Sequence, residues 1–308
     1  MNRRHLLQIA AASTTATLLP HVVSAKSLPV GNATFTYCLN MATIRGHKLG
    51  FVRELEVASK AGFQAVEIWM DSLQAYLESG GTLSDARRRM TDLGIQAENA
   101  IGFAEWIVDD ERRRHKAKEQ LRREMDQLAA IGCKRIAAPP MGATQEGGLS
   151  LQKAGERYRD ILILGEQTGV VPHLELWGFS KNLSRLSEVM YVAVESGHQQ
   201  ARVLLDIYHL YKGGSSVETL ALVNPAATDI LHMNDYTASA SPRTITDADR
   251  IFPGEGVAPA RRILAALRSP DRPLILSVEV FNKKYYAQDP DLVASTALNR
   301  LKQVTEGM

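Results

Sequence analysis

ARVLLDIYHLYKGGSS (Ala201–Ser216) and DILHMNDY (Asp229–Tyr236) are each a short apolar run that ends in groups able to bind cations or move protons. Val203, Leu204 and Leu205 lead into Asp206 and His209; Ile230 and Leu231 lead into His232 and Asp235. An uninterrupted apolar run of this length predicts a strand buried on both faces, as in parallel sheets. Between the two, Ser215 to Val223 has helical spacing after a serine start. Strand, helix, strand, with a polar group at the carboxyl end of each strand, is the layout of an α/β active site.

The same period recurs in both directions along the chain. Upstream, strands are predicted at Thr34–Asn40, Phe63–Trp69 (which contains Glu67), Ile95–Ile101, Cys133–Ala138 and Val170–Trp177. The intervening helical stretches are Leu49–Ala61, Leu83–Leu93, Asp109–Ile131, Leu151–Thr168 and Leu183–Ser196, each followed by a glycine that suits a helix stop. Arg202–Asp206 and Asp229–Asn234 are the sixth and seventh strands. After a long loop, Tyr236–Gly256, come a helix at Pro259–Leu267, an eighth strand at Leu274–Val280 and a closing helix at Leu292–Val304. Alternation at this spacing implies a parallel sheet, and eight units in 308 residues fit a single (β/α)8 (TIM) barrel. A doubly wound open sheet is the competitor, but no glycine-rich phosphate fingerprint follows the first strand.

The N-terminus reads differently. Arg3-Arg4, a mild apolar run from Leu6 to Leu19 and the small residues Val23-Ser24-Ala25 occur in the order of an export signal, and the paired arginines look like the twin-arginine type. The expectation is a twin-arginine signal peptide over residues 1–25, a barrel domain over 26–308 and a periplasmic location. Without a leader that carries Arg3 and Arg4 and no acidic residue, the formal charge of +2 becomes neutral. A neutral balance gives no support for a nucleic-acid or anionic-membrane partner. Arg87-Arg88-Arg89 and Arg112-Arg113-Arg114 lie among acidic residues in helical sequence and read as solvated helix faces. Two cysteines, Cys38 and Cys133, cannot form a disulfide framework, although a single bridge between them stays open. Oligomeric state is also open, a homodimer being one option.

In a closed barrel, groups at the carboxyl ends of the strands converge on one mouth. Four consecutive strands place a ligand type there: Glu175 in LELW, Asp206 in LLDIY, His232 in ILHMND and Glu279 in LSVEV. Any one of these alone reads as a cap, an ion-pair partner or a core histidine, and His173 is read as a hydrogen-bonded core residue. Four in one register call for a common explanation. Burying isolated carboxylates costs several kcal/mol each, so three in strands require a compensating cation. Three carboxylates and an imidazole suit one divalent metal ion, Mn2+, Zn2+, Mg2+ or Co2+, with positions left for water or substrate. Asn40, at the end of the first strand, is a further candidate polar contact, and Tyr285 and Tyr286 are expected to pack under the last helix.

These segments also carry a resemblance. LDIYHLYKGGS, HMNDY, the loop DADRIFPGEG and SVEVFNKKYY followed by Gln288-Asp289-Pro290 resemble the xylose-isomerase-like barrel family of sugar isomerases and epimerases, nearest to its inosose (keto-inositol) isomerases. The resemblance runs from Thr34 to the end and is specific in the second half. It implies metal binding by Glu175, Asp206, His232 and Glu279, and substrate contacts by His209, Arg250 and Asn40. The implied substrate is a small sugar or cyclitol. Proton transfer next to a carbonyl, through an enediolate stabilised by the metal, needs an acid–base pair, and Glu175 and Glu279 on the fifth and eighth strands are expected to supply it. Loss of a β-hydroxyl from the same enediolate would make the enzyme a dehydratase of a keto-polyol such as inosose or dehydroshikimate. A nuclease of this fold needs a His-rich, multi-metal site in a basic groove, which this chain does not show. An exported binding protein without turnover would use the same ligands.

Overall fold

The computed structural model of the protein describes residues 35–308. The expected signal peptide, residues 1–25, lies outside them. Eight strands follow the predicted order: β1 (Phe35–Asn40), β2 (Ala65–Trp69), β3 (Gln96–Ile101), β4 (Arg135–Ala138), β5 (Val171–Glu175), β6 (Val203–Asp206), β7 (Ile230–Met233) and β8 (Leu274–Val278). All paired neighbours are parallel, and the order β3-β2-β1-β8-β7-β6-β5-β4 makes a nearly closed barrel. At the seam β3 and β4 lie side by side. There Arg135 of β4 donates to the Glu98 backbone oxygen at 3.2 Å and pairs with its carboxylate at 2.8 Å. Beyond the seam the indole of Trp106 donates to Pro139 O at 2.8 Å.

The helices form where local chemistry satisfies their ends. Asp110, Ser150 and Asp289 cap the helices Glu111–Ile131, Leu151–Thr168 and Pro290–Thr305 by accepting backbone N–H bonds in the first turn. Gly132 and Gly169 close the first two of these in the left-handed conformation, at φ 89° and 77°, where a side chain would be strained. The apolar faces of these helices and the outward faces of the strands share one continuous core, which includes Leu39, Val66, Leu121, Leu162, Leu205, Leu231, Leu276 and Leu298.

Alternation along each strand sends every second residue inward. Cys38, Ala65, Ile230 and Ile275 make an apolar layer inside the barrel. Two residues further along the same strands come Asn40, Glu67, His232 and Ser277, all at 0% exposure. The polar mouth therefore stands on an apolar floor. Cys38 and Cys133 are both free; Cys38 belongs to the floor and Cys133 to the core outside the strands, so no bridge joins them.

Several local expectations are corrected. The segment after β6, Ile207–Lys212, is helical at once, because the Asp206 side chain accepts the His209 N–H and caps it; the predicted helix at Ser215–Val223 is only a 3-10 turn, Val217–Leu222. A further helix, Met70–Glu78, follows β2 directly where no helix was expected. His173 is buried inside the barrel, but neither ring nitrogen has a hydrogen-bond partner; its nearest charge is Asp229, at 3.5 Å. Tyr285 stacks on Phe252 of the long loop, with ring centroids 4.1 Å apart, and Tyr286 donates to Ala42 O at 2.7 Å.

Candidate active site

Register builds the site. Pairing sets Asn40 beside Glu67, Glu67 beside Asn99, and Asp206 beside His232, while His232 sits beside Ser277. Opposite the step from Val66 to Glu67, β3 carries one extra residue, Glu98, a bulge that brings Asn99 level with Glu67. Glu279 extends one residue past β8 and accepts from nothing on its own strand. Its Oε1 takes Asn40 Nδ2 at 3.0 Å and its Oε2 takes Arg250 Nη1 at 2.7 Å.

Asp206, His232 and Glu279 each present one ligand atom, and the three lie within 4.8 Å of one another, all buried. His232 Nδ1 stands 3.2 Å from Glu279 Oε2 and 3.6 Å from Asp206 Oδ2, with no hydrogen bond of its own. Its Nε2 lies 3.1 and 3.0 Å from the two oxygens of Glu67. Glu175, at the end of β5, is buried in the same field, and its Oε2 has no partner. The donor set of carboxylates and a histidine nitrogen, with unpartnered buried atoms turned inward, fits a divalent cation with ligand distances of about 2.0–2.2 Å.

Electrostatics agree with the geometry. Burial pushes the Glu175 carboxyl up to about 8, with Glu279 and Asp206 adding to the rise and His232 opposing it. Burial would also raise Glu67, but the charge and hydrogen bond of His232 hold it below the usual carboxylate range. His232 is driven the other way: Glu67 and Glu279 outweigh its burial and raise it well above the ordinary imidazole value. Asp206 is held below its usual range by Arg250 and the two histidines despite complete burial.

Arg250 reaches in from the long loop and is 1% exposed. Its Nη1 donates to Asp206 Oδ2 at 2.9 Å as well as to Glu279, and its Nη2 pairs with Asp247. The guanidinium carbon lies 4.2 Å from the centre of the Tyr208 ring and 5.1 Å from that of Phe281. Nη2 also stands 3.3 Å from His209 Nε2. Because a guanidinium can only donate, Nε2 is the acceptor and the His209 proton sits on Nδ1, which has no partner. Burial lowers His209 to about 4, so the ring is neutral at ordinary pH.

The candidate residues thus fall into groups. Glu175, Asp206, His209, His232, Arg250 and Glu279 all come together at one mouth, with Glu175 outside the tight three-ligand cluster. Asn40 differs from its expected role as a substrate contact. Its amide gives both hydrogens to Glu67 and Glu279, and its oxygen accepts from Ala42 N and Trp69 Nε1, which exhausts its bonding capacity. Asp235 does not join the cluster either. Its carboxylate accepts the backbone N–H groups of Tyr236, Gly254, Gly256 and Ala258 and so anchors the loop that carries Arg250. A Cβ on Gly256 would meet Tyr236 O at 2.1 Å, so only glycine allows this approach.

Sequence reasoning passed over Glu67, Asn99, Asn234 and Ser277. Asn234 Nδ2 donates to Asp206 Oδ1 at 3.1 Å and its oxygen accepts Tyr208 N, locking the turn that carries Asp206. For Glu67 a signal existed. VEIW, LELW, LDIY and VEVF repeat acid, apolar, aromatic on four strand ends, at Glu67, Glu175, Asp206 and Glu279. Two residues beyond the acid stand Trp69 at the end of β2, Trp177 just past β5 and Phe281 just past β8. With Phe103 and Phe179 they form a collar, with neighbouring ring centroids 5.2–6.3 Å apart.

The fold and this mouth define a xylose isomerase-like TIM barrel: residues 55–304 match that family, and the chain belongs to it. Among its relatives, the inosose isomerase of Bacillus velezensis is 26% identical over 278 residues, covering 88% of this chain and 96% of that protein. The inosose isomerase of Bacillus subtilis is likewise 26% identical, over 275 residues, with coverage of 87% and 95%. The crystal structure of the IolI protein with a bound zinc atom superposes with a TM-score of 0.82 at 22% identity, covering 88% of this chain and 98% of that one.

Proposed function

We propose that this protein is a divalent-metal-dependent isomerase or epimerase of a keto-sugar or keto-inositol. One observation carries the reading: Asp206, His232 and Glu279 converge within 4.8 Å at the mouth of the barrel, beside the buried carboxyl of Glu175. Similarity over nearly the full length to proteins named inosose isomerase supports the reaction class and the kind of substrate. The Arg3-Arg4 leader is what supports a periplasmic location.

Asp206, His232, Glu279 and Glu175 would hold the ion. When bound, a divalent cation supplies positive charge to neighbouring carbonyl and hydroxyl oxygens and so makes the carbon acid between them easier to ionise. The proton itself is moved by the chain. Glu279 and Glu175, from β8 and β5, take it and return it. Glu279 is oriented in advance by Asn40 on one oxygen and Arg250 on the other. Glu175 keeps one oxygen free of any hydrogen bond, and that oxygen is the one available to take a proton and return it. The Nδ1–H of His209 is placed to hold a substrate hydroxyl, while Arg250, its Nη groups committed to Asp206, Glu279, Asp247 and His209, holds the two acids from the loop side. Asn40 supports Glu279 and Glu67 rather than touching substrate. The aromatic collar offers flat apolar faces to the C–H side of a hydroxylated ring, while the polar groups of the mouth meet its oxygens.

The test is proton NMR of keto-inositols and keto-sugars in deuterium oxide with the metal-analysed protein and its Glu279→Gln variant. Deuterium entering next to the carbonyl, with isomers interconverting, is expected from the native protein and not from the variant. An alkene signal would replace isomerisation by dehydration, the outcome for a keto-polyol dehydratase. A metal-loaded protein that exchanges no proton in any substrate would refute the enzyme reading and leave a binding protein.

A further inference from the structure

The carboxylate of Glu67 has no exposure, yet four side-chain donors point at it. Asn99 Nδ2 donates to Oε1 at 2.6 Å, Asn40 Nδ2 to Oε2 at 3.0 Å, the Ser277 hydroxyl to Oε2, and His232 Nε2 lies about equally close to both oxygens. The donors come from β1, β3, β7 and β8, and pairing with β1 and β3 sets Glu67 directly beside Asn40 and Asn99. A carboxylate is the only side-chain group that accepts at every lone pair, so this environment suits an ionised acid and no amide.

On the opposite edge of the same imidazole, Nδ1 faces Asp206 and Glu279 and makes no hydrogen bond. With a single ring between them, the two edges cannot be independent. A proton held on Nε2 by Glu67 leaves the Nδ1 lone pair in a neutral ring directed at the two carboxylates. A proton on Nδ1 would close that edge to any cation.

We infer that Glu67 is a positioning residue: it fixes the His232 tautomer and ring orientation and strengthens Nδ1 as a metal ligand. This rests on the metal site proposed above and adds a residue outside the ligand set. Outer carboxylates of this kind typically contribute 10–100-fold to metal affinity. Asn40 and Asn99 extend the assignment outward, since their amides hold the two oxygens of Glu67 in place. The oxygen of Asn40 is already committed to Ala42 N and Trp69 Nε1, so its amide cannot turn to accommodate a change at position 67.

Two measurements test the inference on the full chain. The first is Zn2+ affinity by calorimetry for the native protein and Glu67→Gln, with thermal unfolding of the metal-free forms alongside. Gln keeps the shape and one acceptor but removes the charge. The expected result is a 10–100-fold weaker Zn2+ affinity in a variant that still folds; unchanged affinity in the folded variant overturns the role of Glu67 and leaves the metal site standing. A native protein that takes up no Zn2+ sinks both. The second needs no variant and decides the matter if Glu67→Gln does not fold. In the Zn2+-loaded native protein with 15N-labelled histidine, His232 should show a protonated Nε2 and a metal-shifted Nδ1. The reverse pattern, zinc on Nε2, would overturn the inference.

Discussion

Arg250 and a divalent ion would neutralise the same two carboxylates, and that overlap has a thermodynamic consequence. In Arg250→Met the stem volume is largely kept, while Asp206 Oδ2 and Glu279 Oε2 lose a donor that lies 2.9 and 2.7 Å away. Both carboxylates are buried, at 0% and 5% exposure, so water cannot replace the guanidinium. Removing one partner of a buried ion pair costs about 3–5 kcal/mol. For a domain of this size each kcal/mol lowers the melting temperature by about 2–4 °C, so the metal-free variant should melt on the order of 10 °C below the native protein. With saturating Mn2+ the ion itself compensates the two carboxylates, and the gap should shrink to a few degrees. The metal-induced rise in melting temperature is therefore expected to be larger in the variant than in the native protein, the sign set by linkage. Circular dichroism melts with a chelator and with Mn2+ measure all four values. An equal loss with and without metal would refute the argument, because it would show that Arg250 supports the fold without sharing the counter-charge role.

Two further outcomes follow from groups outside the ligand set. Burial lowers His173 to about 3, so below the unfolded value near 6.5 the unfolded chain binds a proton that the native one refuses. The stability tied to this residue is complete above about pH 6.5 and falls as the pH drops towards 3, by about 2 kcal/mol between pH 6.5 and 5; urea unfolding of His173→Leu should lack that part of the acid dependence, and identical pH profiles would count against it. Asp235→Asn should cost on the order of 2–3 kcal/mol and speed proteolysis within residues 236–256, because four backbone N–H groups lose a charged acceptor. Zn2+ stoichiometry should stay at the native value, which separates a loop anchor from a ligand; loss of the ion would reverse that assignment.

The eight-unit barrel could be read from this chain because its two signals are local. Short, mostly apolar segments of four to six residues mark the strands, and a capping side chain or a terminal glycine marks most helices. Strand order, parallel pairing and the convergence of Glu175, Asp206, His232 and Glu279 at one mouth follow from that alternation, because a parallel barrel brings all its strand ends to the same side. Even Glu67 was within reach, as the first of the four acid-apolar-aromatic strand ends.

Which partner each polar group takes was not in the sequence. Asn40, Asp235 and Arg250 are all polar residues near strand ends or in the long loop, and nothing local distinguishes a substrate contact from a bridge, an anchor or a counter-ion. Register decided: it set Asn40 between Glu67 and Glu279, so that its amide had no bond left to give. The tertiary path of the long loop brought Arg250 onto Asp206 and Glu279, 44 and 29 residues away in sequence. Hydrogen bonds and ion pairs act over about 3 Å and depend on direction, so they are settled only when strands from distant parts of the chain come into register. Hydrophobic periodicity needs only neighbours, and so the chain by itself determined the barrel and its mouth, while the closed structure decided what each residue in that mouth is free to do.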